Sequence, residues 1–155
     1  MIDDVKPSKP HKTAHTVKDV IKHLESIGFE VKKVGESKNN IDEYRTYVNG
    51  SQFYGVMVDP NATVIILRFQ LSPYDPSIAG SLEFYNTLNI VNALTVVSKW
   101  FHQLNTAPST PSTLVVQSVI HGYEKDSFAM QEELFRNEFG EHIQKFKSWE
   151  LSNGR

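Results

Sequence analysis

Hydrophobic residues first acquire a period at position 17. Before that, residues 1–14 are rich in Lys and Pro, show no repeat and read as a flexible tail. Val17, Val20, Ile21, Leu24 and Ile27 then recur at the spacing of one helix face. Thr16 stands as N-cap with Asp19 in a capping-box position, and Gly28 is placed to end the helix. The pattern changes to short β-prone runs at residues 29–34, 44–48, 53–58 and 63–71. The first run is short, so the meander holds three or four strands. Residues 35–40 form a polar loop, Asn49-Gly50 is a type I′ hairpin signal, and Asp59-Pro60-Asn61 makes another turn. Strands joined by such tight turns pair antiparallel.

A loop begins at Ser72-Pro73, and Asp75-Pro76 reads as N-cap and first helical residue of a second helix. That helix runs to about Asn92, with Gly80 as an interruption. Residues 94–103 could prolong it, but Thr95-Val96-Val97 are β-branched and favour a strand. Residues 104–113 read as a loop and residues 114–121 as a strand. Asp126 caps a last helix whose apolar stripe is Phe128, Phe135, Phe139, Ile143 and Phe146; Glu132, Glu133, Glu141 and Lys145 are placed on its solvent side. Residues 151–155 are a tail. The expected architecture is one α+β domain over residues 15–150, with an antiparallel sheet of about five strands and three helices, in the order α-β-β-β-α-β-β-α.

Several strands are apolar on both sides. Ile65, Leu67, Phe69 and Leu71 oppose Val64 and Ile66, while Leu114, Val116 and Ile120 oppose Val115 and Val119. A sheet with one wet face should alternate cleanly. Something must therefore cover the second face: a helix, a second subunit or a bound client.

Composition narrows the function classes. The 155 residues are 39% hydrophobic and 22% charged, which fits one ordinary globular domain. Net charge is −2 with the sixteen Lys and Arg scattered, so the stripe of a nucleic-acid binder is not evident. The absence of cysteine excludes disulfides, thiolate metal sites and thiol catalysis. No apolar run approaches the roughly 20 residues that span a bilayer, and the polar N-terminus does not resemble a secretory signal. A cytoplasmic protein without membrane contact is the expectation.

Candidate chemistry is sparse. There is no nucleophile elbow, P-loop, dinucleotide fingerprint or zinc-helix motif. His11 and His15 are four apart but have no third ligand in register. His102 and His121 end two strands and would make a pH-sensitive or metal-binding pair if those ends met. His23 and His142 read as solvated. We expect no catalytic residues, no metal and no cofactor. Trp100 and Phe101 point to opposite faces of one strand. With Phe53 and Tyr54 they are the candidate partner-binding surface, since aromatics are enriched at the energetic centres of interfaces; the alternative is that they are core.

Leu88-Asn89-Ile90-Val91-Asn92, closing a helix before Lys99-Trp100-Phe101, resembles the Leu-Asn and Asn signature of the YbjN family, with Ala93 where the family pattern has Arg. The element order over residues 16–147 is similar to the fold shared with type III secretion chaperones. The resemblance implies a compact, often homodimeric domain without known catalysis, which binds an extended client segment along apolar patches. The expected function is a non-enzymatic protein-binding domain, chaperone-like or a YbjN-type regulator, forming a homodimer. The alternative is a small-molecule or nucleotide sensor, with Tyr85, Asn86, Asn89 and Asn92 contacting a ligand between the sheet and the second helix. Capping or turn roles explain Asn89 and Asn92 better than ligand contact does.

Overall fold

The computed structural model describes residues 15–36, 40–74, 81–103 and 112–149. Both expected tails and the helix start at Asp75-Pro76 lie outside the described residues. Helix α1 spans Val17–Ser26, followed by β1 (Glu30–Glu36), β2 (Asp42–Val48), β3 (Ser51–Val58) and β4 (Val64–Tyr74). Helix α2 (Leu82–Leu94) leads to β5 (Lys99–Gln103) and β6 (Ser112–His121), then α3 (Lys125–His142) runs into a 3₁₀ segment, Ile143–Trp149.

The α+β antiparallel class is as expected. The described sheet has six strands in the order β1-β2-β3-β4-β6-β5, because β1 is a full seven-residue strand paired along β2. The first helix forms as read: Asp19 accepts a hydrogen bond from the Thr16 amide at 2.8 Å, and Gly28 takes φ +103°. Asn49 and Gly50 both have positive φ, +51° and +79°, as a type I′ turn requires.

Four local expectations are corrected. Ser72-Pro73 does not begin a loop, since β4 continues to Tyr74 opposite Ser112. A register shift between Leu71 and Tyr74 lets the chain pass a proline that cannot donate to the ladder. At its other end β6 starts at Ser112 rather than 114. The last helix is capped by Glu124, whose carboxylate accepts from the Asp126 and Ser127 amides at 3.2 and 2.8 Å; Asp126 lies in the first turn. Residues 95–98 form a turn, and β5 begins only at Lys99.

That turn is shaped by Glu138. Its carboxylate accepts hydrogen bonds from the Val96 and Val97 amides, from the Ser98 amide at 3.0 Å and from the Ser98 hydroxyl at 2.8 Å. The amides that strand pairing would have used are turned onto α3 instead. Asn92 completes the join, donating to the Trp100 carbonyl at 2.8 Å and accepting from its amide at 2.9 Å. Its amide thus mimics a strand neighbour where the signature stretch ends.

The three α-helices among the described residues pack on one face of the sheet. Val20 and Leu24 of α1, Phe84, Leu88 and Val91 of α2, and Phe128 and Phe135 of α3 share one cluster with Tyr54, Val56, Val58, Ile65, Leu67, Phe69, Val116 and Trp100. Fully burying one such side chain stabilises by about 1.5–3 kcal/mol. The other face mixes Met57, Val64, Ile66, Val115, Val119 and Phe101 with Glu43, Arg45, Arg68, Gln117 and Lys99, as the pairing registers place them. Val119 and Phe101 are 38% and 37% exposed.

Burial alone would raise the Glu138 carboxyl, but the amide and hydroxyl bonds outweigh it and hold the group below its usual range. Its contribution is therefore complete at neutral pH and is lost as pH falls below about 4.5, the ordinary value. Glu138→Gln is expected to lower unfolding stability by about 2–3 kcal/mol at pH 7. The difference should shrink in urea titrations at pH 4.

Candidate functional site

The site begins with one extra residue. Arg45 lies opposite Gly55 and Tyr47 opposite Gln52, so Thr46 alone faces both Phe53 and Tyr54. This is a β-bulge, which bends its strand. The Thr46 hydroxyl donates to the Tyr54 carbonyl at 2.7 Å and stabilises it. Alternation breaks there, and the Phe53 and Tyr54 rings become neighbours, 5.4 Å apart. Past the bulge, β3 leaves β4: their pairing runs from Val58↔Ile65 only as far as Gly55↔Arg68, although both strands continue.

A cleft of about 330 Å³ occupies the divergence. Phe53, Phe69, Leu71 and Phe139 supply its apolar lining, and Glu43, Arg45, Gln52, Arg68 and Gln70 its polar lining. Phe69 stacks on Phe139 of α3 with ring centres 3.6 Å apart. The aromatic contacts continue through Trp100 to Phe146 at 6.0 and 5.4 Å, so the cleft floor is the end of the core itself. Arg45 Nη1 donates to the Gln52 side chain at 3.3 Å, and Arg68 Nη2 to that of Gln117 at 2.9 Å. Arg68 Nε is buried without an acceptor, and leaving such a donor unpaired costs about 1–3 kcal/mol.

Tyr54, next to Phe53, reaches a buried carboxylate on α3. Glu132 accepts from the Tyr54 hydroxyl at 2.7 Å and from Arg136 Nε at 2.6 Å, and Arg136 Nη2 reaches its second oxygen at 3.0 Å. Burial, and then the neighbouring carboxylate, drive the Tyr54 phenol far above its ordinary value, so it stays a donor. Glu132 is 1% exposed and not on the solvent side. It lies four residues after Phe128 and three before Phe135, on the stripe itself.

The structure divides the four aromatic candidates. Tyr54 and Trp100 are core residues, 0% and 2% exposed, facing the helices. Phe53 is half-buried in the cleft wall, and Phe101 lies on the opposite sheet face. Tyr54 and Trp100 are therefore unavailable to a partner, whereas Phe53 and Phe101 remain accessible.

The histidines do not form the expected pair. His102 lies opposite Leu114 and His121 opposite Val64, at opposite ends of β6. His142 is buried against Trp100 rather than solvated, and His23 Nδ1 lies 3.1 Å from the Tyr123 hydroxyl oxygen. His11 lies outside the described residues. Among the described residues no cluster of three His, Cys, Asp or Glu could hold a metal. The sensor residues do not converge either: Asn92 is occupied by the Trp100 backbone, and Tyr85, Asn86 and Asn89 are exposed.

The architecture has solved counterparts. YbjN from E. coli, a candidate transcription regulator, superposes with a TM-score of 0.64 over 87% of this chain and 93% of its own, at 15% identity. The chain has a YbjN-like fold. An uncharacterized protein from Methanothermobacter thermautotrophicus is similar at a TM-score of 0.57, covering 84% of this chain and 96% of its own at 14% identity. No family profile matches the sequence, and no curated protein matches it. Among the described residues no helix is long and apolar enough to cross a membrane.

Burial holds the His102 and His23 imidazoles below their ordinary pKa. The unfolded chain therefore takes up protons first as pH falls below about 6.5, and stability declines from there toward the native values. Among the described residues neither ring nitrogen of His102 has a hydrogen-bond partner. His102→Leu is thus expected to leave stability at pH 7 within about 1 kcal/mol or to raise it, and to flatten the decline between pH 7 and 5 in urea midpoints.

Proposed function

We propose that this domain is a non-enzymatic protein-binding module that captures an extended segment of a partner chain in the β3–β4 cleft. One observation carries the reading: both strands run on after their mutual pairing ends at Gly55↔Arg68. Among the described residues each then has a margin without a ladder partner, beside an aromatic floor. An extended segment can add to such a margin through its backbone, while its side chains occupy the apolar pocket. In this reading the protein works in the cytoplasm as a homodimer. Phe101 and Val119, exposed on the sheet face opposite the helices, support the dimer.

A second reading uses the same cleft. Its volume of about 330 Å³ falls at the lower end of small-ligand pockets, and polar groups line it beside the rings. A small-molecule sensor would place its ligand there rather than beside α2.

Reduced, carboxymethylated α-lactalbumin serves as an extended probe. It is expected to bind and to slow hydrogen exchange at Gln70, whose amide faces the β3 side. Phe53→Ser should weaken that binding at least tenfold, about 1.4 kcal/mol, whereas Val119→Ser leaves it unchanged. No binding, or protection confined to other strands, overturns segment capture. A thermal shift with metabolites but none with the probe selects the sensor. Light scattering should give twice the 17.7 kDa chain mass; a monomer removes the dimer from the proposal.

A further inference from the structure

We propose that Arg45 and Arg68, facing each other across Gly55, form an oxyanion site in the cleft. Its ligand carries a carboxylate or phosphate joined to an apolar body. The inference deepens the reading of this cleft as the binding site and rests on it.

Arg45, Gly55 and Arg68 lie in one row of the sheet, on the face away from the helices. Neighbouring strands are about 4.8 Å apart, so the arginine Cα atoms are roughly 10 Å apart with no side chain between them. Nothing in the fold demands glycine at that point. Its φ is not in the left-handed region, and among the described residues an added Cβ would meet the Tyr44 and Arg68 carbonyl oxygens at 3.7 and 3.8 Å, ordinary contact distances. Glycine inside a strand weakens it and often marks a bulge, such as the one next to it at residues 53 and 54, or a place where another group approaches closely. Here it deepens the space between two guanidinium groups.

Neither arginine is ion-paired among the described residues: no carboxylate there lies within 4 Å of either. Each is held by a glutamine carbonyl, Gln52 for Arg45 and Gln117 for Arg68, which orients it without neutralising it. Arg68 keeps a buried Nε–H with no acceptor. Glu43 also lines the cleft, leaving two cations against one carboxylate, a balance that favours one incoming anion. Guanidinium recognises planar oxyanions through paired N–H bonds. Phe53, Phe69 and Phe139 line the same cleft from its core side, so the ligand's neighbouring part is apolar, as in an acidic residue flanked by hydrophobic ones or an aryl phosphate.

Nitrogen-15 NMR of the full chain, including the arginine Nε–H signals, tests this at constant chloride ionic strength. The probes are phenyl phosphate, phenylacetate and the neutral phenylacetamide. Saturable shifts are expected at the Gly55 amide and at both arginine Nε–H groups, with phenylacetamide at least tenfold weaker. The tighter of the two oxyanions identifies the source as phosphate or carboxylate. Arg45→Gln and Arg68→Gln should each weaken binding at least tenfold. Gly55→Ala should do so while keeping the melting temperature at or above wild type, separating site loss from unfolding. Equal affinity for phenylacetamide overturns the oxyanion site but leaves the cleft as a binding site. Oxyanion shifts at Gly55 no larger than those at Gly122 and Gly140 overturn it too, and α-lactalbumin binding would then still sustain segment capture.

Discussion

The bulge opposite Thr46 is the constraint on which the rest of the molecule turns. One added residue in β3 brings the Phe53 and Tyr54 rings together, where strict alternation would have sent them to opposite faces. Tyr54 can then reach through the core to Glu132 on α3, at 2.7 Å. Phe53 meets Phe29 and Phe69 at 5.8 and 4.9 Å and closes the core at the cleft. The same bend ends the pairing of β3 with β4. A hydrogen bond from Thr46 to the Tyr54 carbonyl stabilises the irregularity, and threonine supplies that donor within a strand without loss of β propensity.

Two buried carboxylates on α3 fix the helical layer against the sheet. Glu132 ties the helix to β3 through Tyr54, and Glu138 ties it to the turn before β5 through backbone amides. A buried charge is tolerated only where its lone pairs are filled. Glu132 uses a tyrosine and an arginine, Glu138 the amides and hydroxyl of residues 96–98. Such bonds depend on direction in a way that ring packing does not, so they set the rotation of α3 about its axis. That rotation places Phe139 over Phe69 at the cleft floor.

What was legible in the sequence follows from this division. Strand alternation, the Asn49-Gly50 turn and the first helix are local features, and residue spacing revealed them. Glu132 and Glu138 escaped because glutamate on a helix is ordinarily solvated, although 132 is in step with Phe128 and Phe135, and 138 with Phe135 and His142. Thr95-Val96-Val97 looked like a strand because β propensity cannot see a distant carboxylate, Glu138, that claims the Val96 and Val97 amides. The bulge left no local signal, since a register depends on two strands together. Two hints at the cleft were present: Gly55 inside a β-prone run and Arg68 inside an apolar one. Either reads as an interruption worth explaining. The aromatic candidates drew the search instead, and two of the four proved to be core.

Those two interruptions also show why the fold and the site can vary independently. At about 15% identity to its structural counterparts the chain keeps the architecture, because alternation and helix stripes accept many sequences of similar volume. Two of the cleft residues, Gly55 and Arg68, do not serve that architecture. Alanine would fit the space at Gly55, and glycine there costs about 0.5–1 kcal/mol relative to it. An apolar side chain at Arg68 would suit the strand better than a guanidinium with a buried, unpaired N–H. Residues that lower stability where nothing in the fold requires them point to a demand from outside the chain. Here they adjoin each other in one row of the sheet, where the pairing of β3 and β4 gives out.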